Sequence, residues 1–450
     1  LFSQKNIESI SSNELISKAV ELYEEEDYME AIKLFDKVSV NDTNYSVAQY
    51  EKALAYYRME EYADVISVTE DLLSLGLYYA KKDYFYSLLG SSFDELGDLD
   101  KSIEVFNLGI NKYPKSYLLR YNRAIVYSKM NKHKQAIEDY KKTIQFYAGH
   151  KSSHYQLALY ALNEGHYTEA MLGFTTYLLL DPKSTRSNEV LQIMENISNG
   201  EYEEDPKGFN WDEKEDYEEL NIFFKNKVAL EKKYKVNLTI DVAFGKQLHF
   251  LLSNLEYNKD NEGFWNQTYV SYLKEIFNDS KIDDLTLYCL QSSGSSKTQS
   301  KLKSKKSKIE DFISVAKEKW GNYVNYKYVD FEGEFQKVYI GYSNNGAISS
   351  MGLVENDKAV GKWYYYYPNG ALKMEGVFSD EGKRNGHWIV YNEINGNISN
   401  DIIFKDGDRN GEALSYFESG DLYKRMTNRE NELQDILYIY FQSGDVKEKM

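Results

Sequence analysis

The sequence predicts a multidomain α+β protein: an N-terminal all-α solenoid of helix pairs, a helical middle segment, and a C-terminal antiparallel sheet of β-hairpins. Three observations lead there. Small and aromatic residues recur every 34 positions through the first 185 or so residues. A second texture of Gly, Asn and aromatic residues, with a period of 24 to 26, begins near Tyr339. Between the two lie stretches with apolar residues at helical spacing, followed by a run of Ser and Lys.

Three columns carry the 34-residue register: Gly90, Ala124 and Ala158; Ser102, Ala136 and Ala170; Phe106, Tyr140 and Phe174. Ala19, Ala31 and Phe35 extend them backwards. Ala53 opens a weaker second copy that departs at Val65 and Thr69 and is followed by a three-residue insertion. Antiparallel helices that cross closely and then stack on the next pair need small side chains at the crossing. An aromatic one turn further on fills the gap toward the following unit. Pro114 and Pro182, 68 apart, suit the end of a second helix. Gly97-Asp98 and Gly165-His166 suit the tight turn within a pair.

These residues resemble the tetratricopeptide repeat, with five copies over about 12–184. Residues 185–197, with Val190, Leu191, Met194 and Ile197 on one face, read as a capping helix, so the solenoid domain is expected over 1–200. The resemblance implies a concave surface lined by the first helix of each pair. At the corresponding positions stand Tyr23, Tyr50, Tyr57, Tyr84, Tyr121, Ile125, Tyr155 and Leu159. The expected partners are therefore other proteins or extended apolar peptide segments, because tyrosine offers a wide contact area with few rotors. For any single Tyr, packing between helices is the alternative. Family members that grip a C-terminal carboxylate carry an inner Lys, which none of the five copies supplies.

At the other end, Gly361-Lys362-Trp363, Gly386-His387-Trp388 and Gly411-Glu412-Ala413 start 25 apart. Asn345-Gly346, Asn369-Gly370, Asn395-Gly396, Ser419-Gly420 and Ser443-Gly444 alternate with them, as hairpin turns that need positive φ would. Trp363, Tyr365, Trp388, Tyr416 and Phe417 then fall in aromatic rows along a sheet. This pattern resembles the bacterial variant of the MORN repeat, expected over 309–450 behind a short helix at 309–320, with Ala413 standing where Trp belongs. The resemblance implies protein contact, or self-association through a sheet edge. Lipid binding would need a basic patch, which this segment lacks. An alternative reading makes Trp363 and Trp388 an exposed stacking surface for an envelope glycan or polymer.

Residues 201–290 read as a helical connector, with amphipathic stretches at 216–233 and 265–277. The acidic run 201–219, which holds Trp211, reads as a solvated face. Residues 291–308, rich in Ser and Lys, read as a flexible linker.

Composition narrows the function. A net charge of -17 argues against a nucleic-acid partner, which needs a basic surface. No run of 18 apolar residues occurs, so no membrane insertion is expected. The single cysteine, Cys289, is expected to be a buried apolar residue. His150 and His154 stand four apart with His166 beyond, yet a third ligand and an acid at fixed spacing are missing. No phosphate loop, nucleophile elbow or His-Glu-x-x-His occurs. Accordingly no catalytic residue, metal or cofactor is expected, and an enzyme could lie only in the middle segment. The opening Leu1-Phe2-Ser3 resembles the end of a signal peptide cleaved after Ser3, so periplasmic or outer-membrane residence is expected, with the cytoplasm as the alternative. The chain reads as a non-enzymatic scaffold that bridges components of a multiprotein complex, such as an envelope assembly or secretion machine.

Overall fold

The computed structural model describes residues 11–76, 82–202, 206, 208, 215, 217–277, 281–343, 348–434 and 437–450. Two compact units divide the chain. One takes in the residues up to Lys132 together with Pro368–Ala371; the other is His133–Tyr367 and Leu372–Met450.

The first unit holds helices α1 (Ser12–Glu24), α2 (Tyr28–Phe35), α3 (Tyr45–Arg58), α4 (Tyr62–Ser74), α5 (Lys82–Glu95), α6 (Leu99–Lys112) and α7 (Tyr117–Lys129). Local chemistry sets their ends. Ser11 and Glu14 form a reciprocal capping box at the start of α1, and the side chains of Asp27, Asp98 and Ser116 cap α2, α6 and α7. The turn inside each pair passes through one left-handed residue, at Glu26, Glu60, Gly97 and Asn131, and at Gly165 in the second unit. Only the two glycines adopt it without steric cost. The small-residue columns are buried: Ala19, Ala31, Ala53, Ser102 and Ala124 expose nothing. At Gly90 a Cβ would lie 2.7 Å from the Phe106 ring, and the Ser102 hydroxyl donates to the Gly90 carbonyl at 2.7 Å. The weak second copy is tolerated because the Thr69 hydroxyl donates to the Val65 carbonyl of its own helix.

The second unit contains α8 (His133–Phe146), α9 (Lys151–Asn163), α10 (Tyr167–Leu180), α11 (Thr185–Asn199), α12 (Glu218–Lys225), α13 (Ala243–Asn254), α14 (Ser271–Ile276), α15 (Ile282–Cys289), α16 (Ser296–Ser304) and α17 (Lys306–Asn325). One hydrophobic core runs through it from Ile137 on α8 to Ala316 on α17. At its centre lies α10, with residues 167–178 all buried. The helix is largely apolar and buried on every side, so a single packed face cannot satisfy it. It is covered by α9, α11, α12 and α15.

This core corrects two expectations and qualifies a third. Residues 201–290 are not a connector hung beyond the helix pairs, and no boundary falls at 200; the middle helices complete the core of the last pair. Helix α11 is not a terminal cap, because α13 packs on it and the Glu195 carboxylate accepts from the backbone N–H groups of Ala243 and Phe244, both at 3.0 Å. In the acidic run 201–219, Glu201, Glu218 and Glu219 are exposed as a solvated face would be, but Glu215 is not. Glu215 is buried and accepts from the N–H groups of Trp265 (2.8 Å) and Asn266 (2.5 Å), capping the segment that holds a π turn, Asn266–Val270, and α14. Trp211 lies outside the described residues.

The Ser/Lys stretch 291–308 is ordered as α16 and the start of α17 rather than as a linker. Leu302, Ile309, Phe312 and Ala316 form a buried stripe at helical spacing. Lys301 donates to the Thr239 carbonyl, and Lys308 bridges the carboxylates of Asp283 and Asp284. Helix α17 also runs well past the expected 309–320.

Helix α17 leads into an antiparallel sheet: β1 (Tyr326–Phe331), β2 (Glu334–Tyr342), β3 (Ile348–Glu355), β4 (Lys358–Tyr366), β5 (Leu372–Phe378), β6 (Arg384–Tyr391), β7 (Ile398–Lys405), β8 (Asp408–Tyr416), β9 (Leu422–Arg429), β10 (Glu432–Leu433), β11 (Tyr438–Tyr440) and β12 (Val446–Lys449). Strands neighbour one another in chain order, except that β10 pairs with β9 alone. Gly370, Gly396, Gly420 and Gly444 supply positive φ at one set of turns, as expected; Asn345-Gly346 lies outside the described residues. A second set, Glu332-Gly333, Asn356-Asp357, Asp406-Gly407 and Glu430-Asn431, makes two-residue links with both φ values positive. The register breaks opposite Gly361, Gly386 and Gly411, where β4, β6 and β8 bulge.

The tryptophans explain two further glycines. Gly352 pairs with Trp363, and a Cβ there would sit 2.4 Å from the indole; at Gly376 it would sit 2.3 Å from that of Trp388. Each indole lies flat over a bare backbone and donates its N–H to a neighbouring carbonyl, Leu353 at 2.9 Å and Val377 at 3.2 Å. Gly376→Ala is therefore expected to destabilise the second unit by about 1–3 kcal/mol through overpacking. Gly294→Ala, at an exposed position with nothing near, should change little. Denaturant unfolding followed by tryptophan fluorescence distinguishes the two, and equal midpoints would contradict the packing account.

Candidate interaction surface

The eight residues expected to line a groove are divided between the units: Tyr23, Tyr50, Tyr57, Tyr84, Tyr121 and Ile125 in the first, Tyr155 and Leu159 in the second. All eight are half-buried. In the first unit, Tyr50, Leu54 and Tyr57 flank a small core of Ala53, Val65 and Leu88. The Tyr50 ring meets Tyr84 edge-on at 6.4 Å and Phe85 at 5.0 Å, which joins α3 to α5. Tyr23 and Tyr57 repeat one geometry 34 residues apart: each meets the first tyrosine of the following helix, Tyr28 or Tyr62, at 5.3 Å. The Tyr23 hydroxyl accepts from Arg58 Nε at 3.0 Å, and the Asn122 amide donates to Ser87 Oγ at 2.7 Å.

Burial, then the nearby Glu95, Tyr62 and Asp94, push the Tyr57 phenol up to about 12. The ring therefore stays neutral and keeps its hydroxyl as donor and acceptor. In the second unit Tyr155 leans on Phe174 and Tyr177, with the Arg186 guanidinium 5.1 Å from its centroid, and Leu159 packs at the edge of the core. Sequence reasoning did not single out Arg58 or Arg186. Neither belongs to a repeating column, and only the fold brings Arg58 to the Tyr23 hydroxyl and Arg186 over the Tyr155 ring.

On the sheet, the five aromatic residues do not form one exposed row. Trp363 is 6% and Trp388 1% exposed. Tyr339, Tyr365 and Phe378 surround Trp363; Phe378, Phe404 and the Arg384 guanidinium, 4.5 Å from the ring centroid, surround Trp388. No face of either indole is left for a sugar to stack on, so the glycan platform expected there is corrected. The rings are buried because the bare glycine backbone beneath lets them lie down. Tyr416 and Phe417 remain half-buried, with Phe417 against Tyr423 at 5.0 Å.

The histidine pair is structural. His154 is fully buried; its Nε2 donates to the Ala148 carbonyl at 2.7 Å, and its Nδ1 accepts from the Tyr269 hydroxyl at 2.9 Å. Both ring nitrogens are thereby engaged. His150 pairs with Ser153 Oγ at 2.9 Å, and His166 approaches Glu169. Among the described residues no three His, Cys, Asp or Glu side chains converge as a metal site would need. Cys289 is buried, and burial pushes its thiol up to about 12. No helix is long and apolar enough to cross a membrane among the described residues.

Against this geometry, two models of the tetratricopeptide repeat family match, at residues 86–116 and 118–148. Helices α5 to α8 thus form tetratricopeptide repeats. A curated relative, TPR repeat-containing protein MJ1428 of Methanocaldococcus jannaschii, is 26% identical over 144 residues, which make up 31% of this chain and only 24% of that protein. Among solved structures, MamA is 21% identical, with 41% of this chain and 97% of MamA covered at a TM-score of 0.32. TTC0263 of Thermus thermophilus is 19% identical, with coverages of 40% and 100% at 0.34. YrrB, described as a TPR protein with an unusual peptide-binding site, is 14% identical, with coverages of 41% and 91% at 0.31.

Burial, opposed by the Ala148 hydrogen bond and reinforced by His150 and Lys327, depresses His154 to about 4. Between that value and the unfolded 6.5, the unfolded chain binds a proton that the native chain does not. This contribution is complete above 6.5 and is lost as pH falls toward 4. The pH dependence of thermal unfolding should be shallower over that interval in His154→Gln than in the wild type. Identical slopes would contradict the buried neutral state.

Proposed function

We propose that this protein is a non-catalytic scaffold that holds other proteins, and that the half-exposed tyrosine face of the first unit is its main peptide-binding surface. The observation that carries the reading is the pre-positioning of those rings. Tyr23, Tyr50, Tyr57 and Tyr84 each lean on a neighbouring aromatic ring, so little side-chain freedom remains to be lost when a ligand arrives. Tyrosines held in this way supply apolar contact together with a neutral hydroxyl, which suits extended apolar peptide.

The sheet gives the same chain a second repeat surface. Its glycine–tryptophan pairing and alternating turns support the likeness to the bacterial MORN-variant array, and two repeat surfaces on one chain suit the bridging of two partners. An envelope assembly or secretion complex is the setting we propose from the likeness of both repeat types; recovery of the protein only in the cytoplasmic fraction of its native cells would remove that setting. The glycan reading is not carried forward, because its two indoles are buried.

Peptides selected from a random display library against the intact chain should be rich in apolar residues. Tyr50→Ala and Tyr84→Ala should each weaken them about tenfold, or roughly 1.4 kcal/mol, with helicity by circular dichroism unchanged. Selected peptides whose affinity ignores both substitutions would sink this assignment.

A further inference from the structure

Helix α2 has eight residues, whereas α4 has 13 and α6 has 14. Its early end at Asp36 leaves part of α3 uncovered between α2 and α4, and a cleft of about 340 Å³ opens there. That volume lies at the small end for a ligand pocket and fits one long side chain rather than a cofactor.

The cleft has a specific chemistry. Gln49 of α3 lines it, is only 8% exposed, and makes no hydrogen bond to any described residue. Its amide can therefore accept from or donate to a group that enters the cleft. Among the described residues the one cation lining the cleft, Lys52, is already engaged: its ammonium lies 2.6 Å from the Asp36 carboxylate and 5.7 Å from the centroid of Tyr56. Asp64 and Asp71 stand seven residues, or two turns, apart on the same face of α4, both exposed and neither with a cationic partner among the described residues. Buried Leu72 and Leu75, 52% exposed, provide an apolar wall beside them.

We propose that this cleft receives an arginine side chain from a basic segment of a partner protein. Arginine brings five N–H donors and no acceptor, so its planar head can serve a carboxylate of α4 and the Gln49 carbonyl oxygen at once. Its methylene stem lies along the leucine wall. Lysine offers a compact, strongly hydrated point charge without the planar fork that pairs a carboxylate and an amide oxygen together. This surface uses none of the tyrosines assigned to peptide binding and stands or falls independently of them.

Fluorescence anisotropy on the intact chain tests it, with a labelled nonapeptide of arginine, leucine and glycine and the same peptide carrying lysine in place of arginine. The arginine peptide binds more tightly than its lysine counterpart. Asp64→Asn with Asp71→Asn raises its Kd about tenfold or more, as loss of close charge partners does. Glu25→Gln with Asp100→Asn, which removes the same charge from exposed positions elsewhere in the unit, changes Kd by less than about twofold because distant surface charges are screened. Gln49→Leu lowers the arginine peptide toward the lysine level. The proposal is overturned if the intact chain fails to bind the arginine peptide, if the two peptides bind alike, or if the distant pair weakens binding as much as the cleft pair does.

Discussion

The architecture of the second unit depends on the burial of α10. Twelve consecutive residues of that helix, 167–178, are shielded from solvent, so apolar partners must be found on every side and not along a single stripe. Helix α9 covers one side as its repeat partner, α11 the next, and α12 and α15 the rest. Enclosure has a cost: the hydroxyls of Thr168, Thr175 and Thr176 and one oxygen of Glu169 are buried without a hydrogen-bond partner among the described residues. The surrounding apolar contact offsets it. From the same core α17 extends, touching α14 and α15 before it packs on β1 and β2, so the start of the sheet is anchored to the helices that enclose α10.

The two repeat types solve close approach with opposite devices. Where helices cross, small residues on both sides let backbones come together, as at Gly90 and Ser102, or at Gly173, where a Cβ would lie 2.9 Å from that of Ala158. In the sheet a glycine on one strand admits a whole indole from the next. At Ala413, between Ile402 and Met426, the third copy lacks the indole. The tryptophans are therefore packing residues.

Periodicity made both repeats legible, because identical packing problems recur at fixed intervals. The columns at Gly90, Ala124 and Ala158 mark the helix crossings, and the Asn-Gly and Ser-Gly pairs mark half of the sheet's turns. The other half lay hidden chiefly where Glu332 and Glu430 adopt positive φ, which glutamate rarely does. Similarly, Glu26 and Glu60 hold the turn position that Gly97 and Gly165 announce. The lysine-rich stretch misled because its composition outweighed one in-register Leu302, and two of its lysines, Lys301 and Lys308, find a carbonyl and carboxylates remote in sequence. The sequence of α10 itself, nearly devoid of charge, already implied all-round burial and with it a middle segment that is no mere connector. Burial of the tryptophans could not be read, since it requires the pairing register. The cleft beside α2 follows from a missing turn and a half, which repeat columns do not record.

Hydrogen exchange on the intact chain tests the central claim most directly, that the middle helices and the last helix pair form one cooperative core. The amides of α9, α10, α13 and α15 are predicted to exchange through a single slow opening with a common free energy. If α13 and α15 exchange early while α9 and α10 stay protected, the middle segment is a separate connector and the account is contradicted.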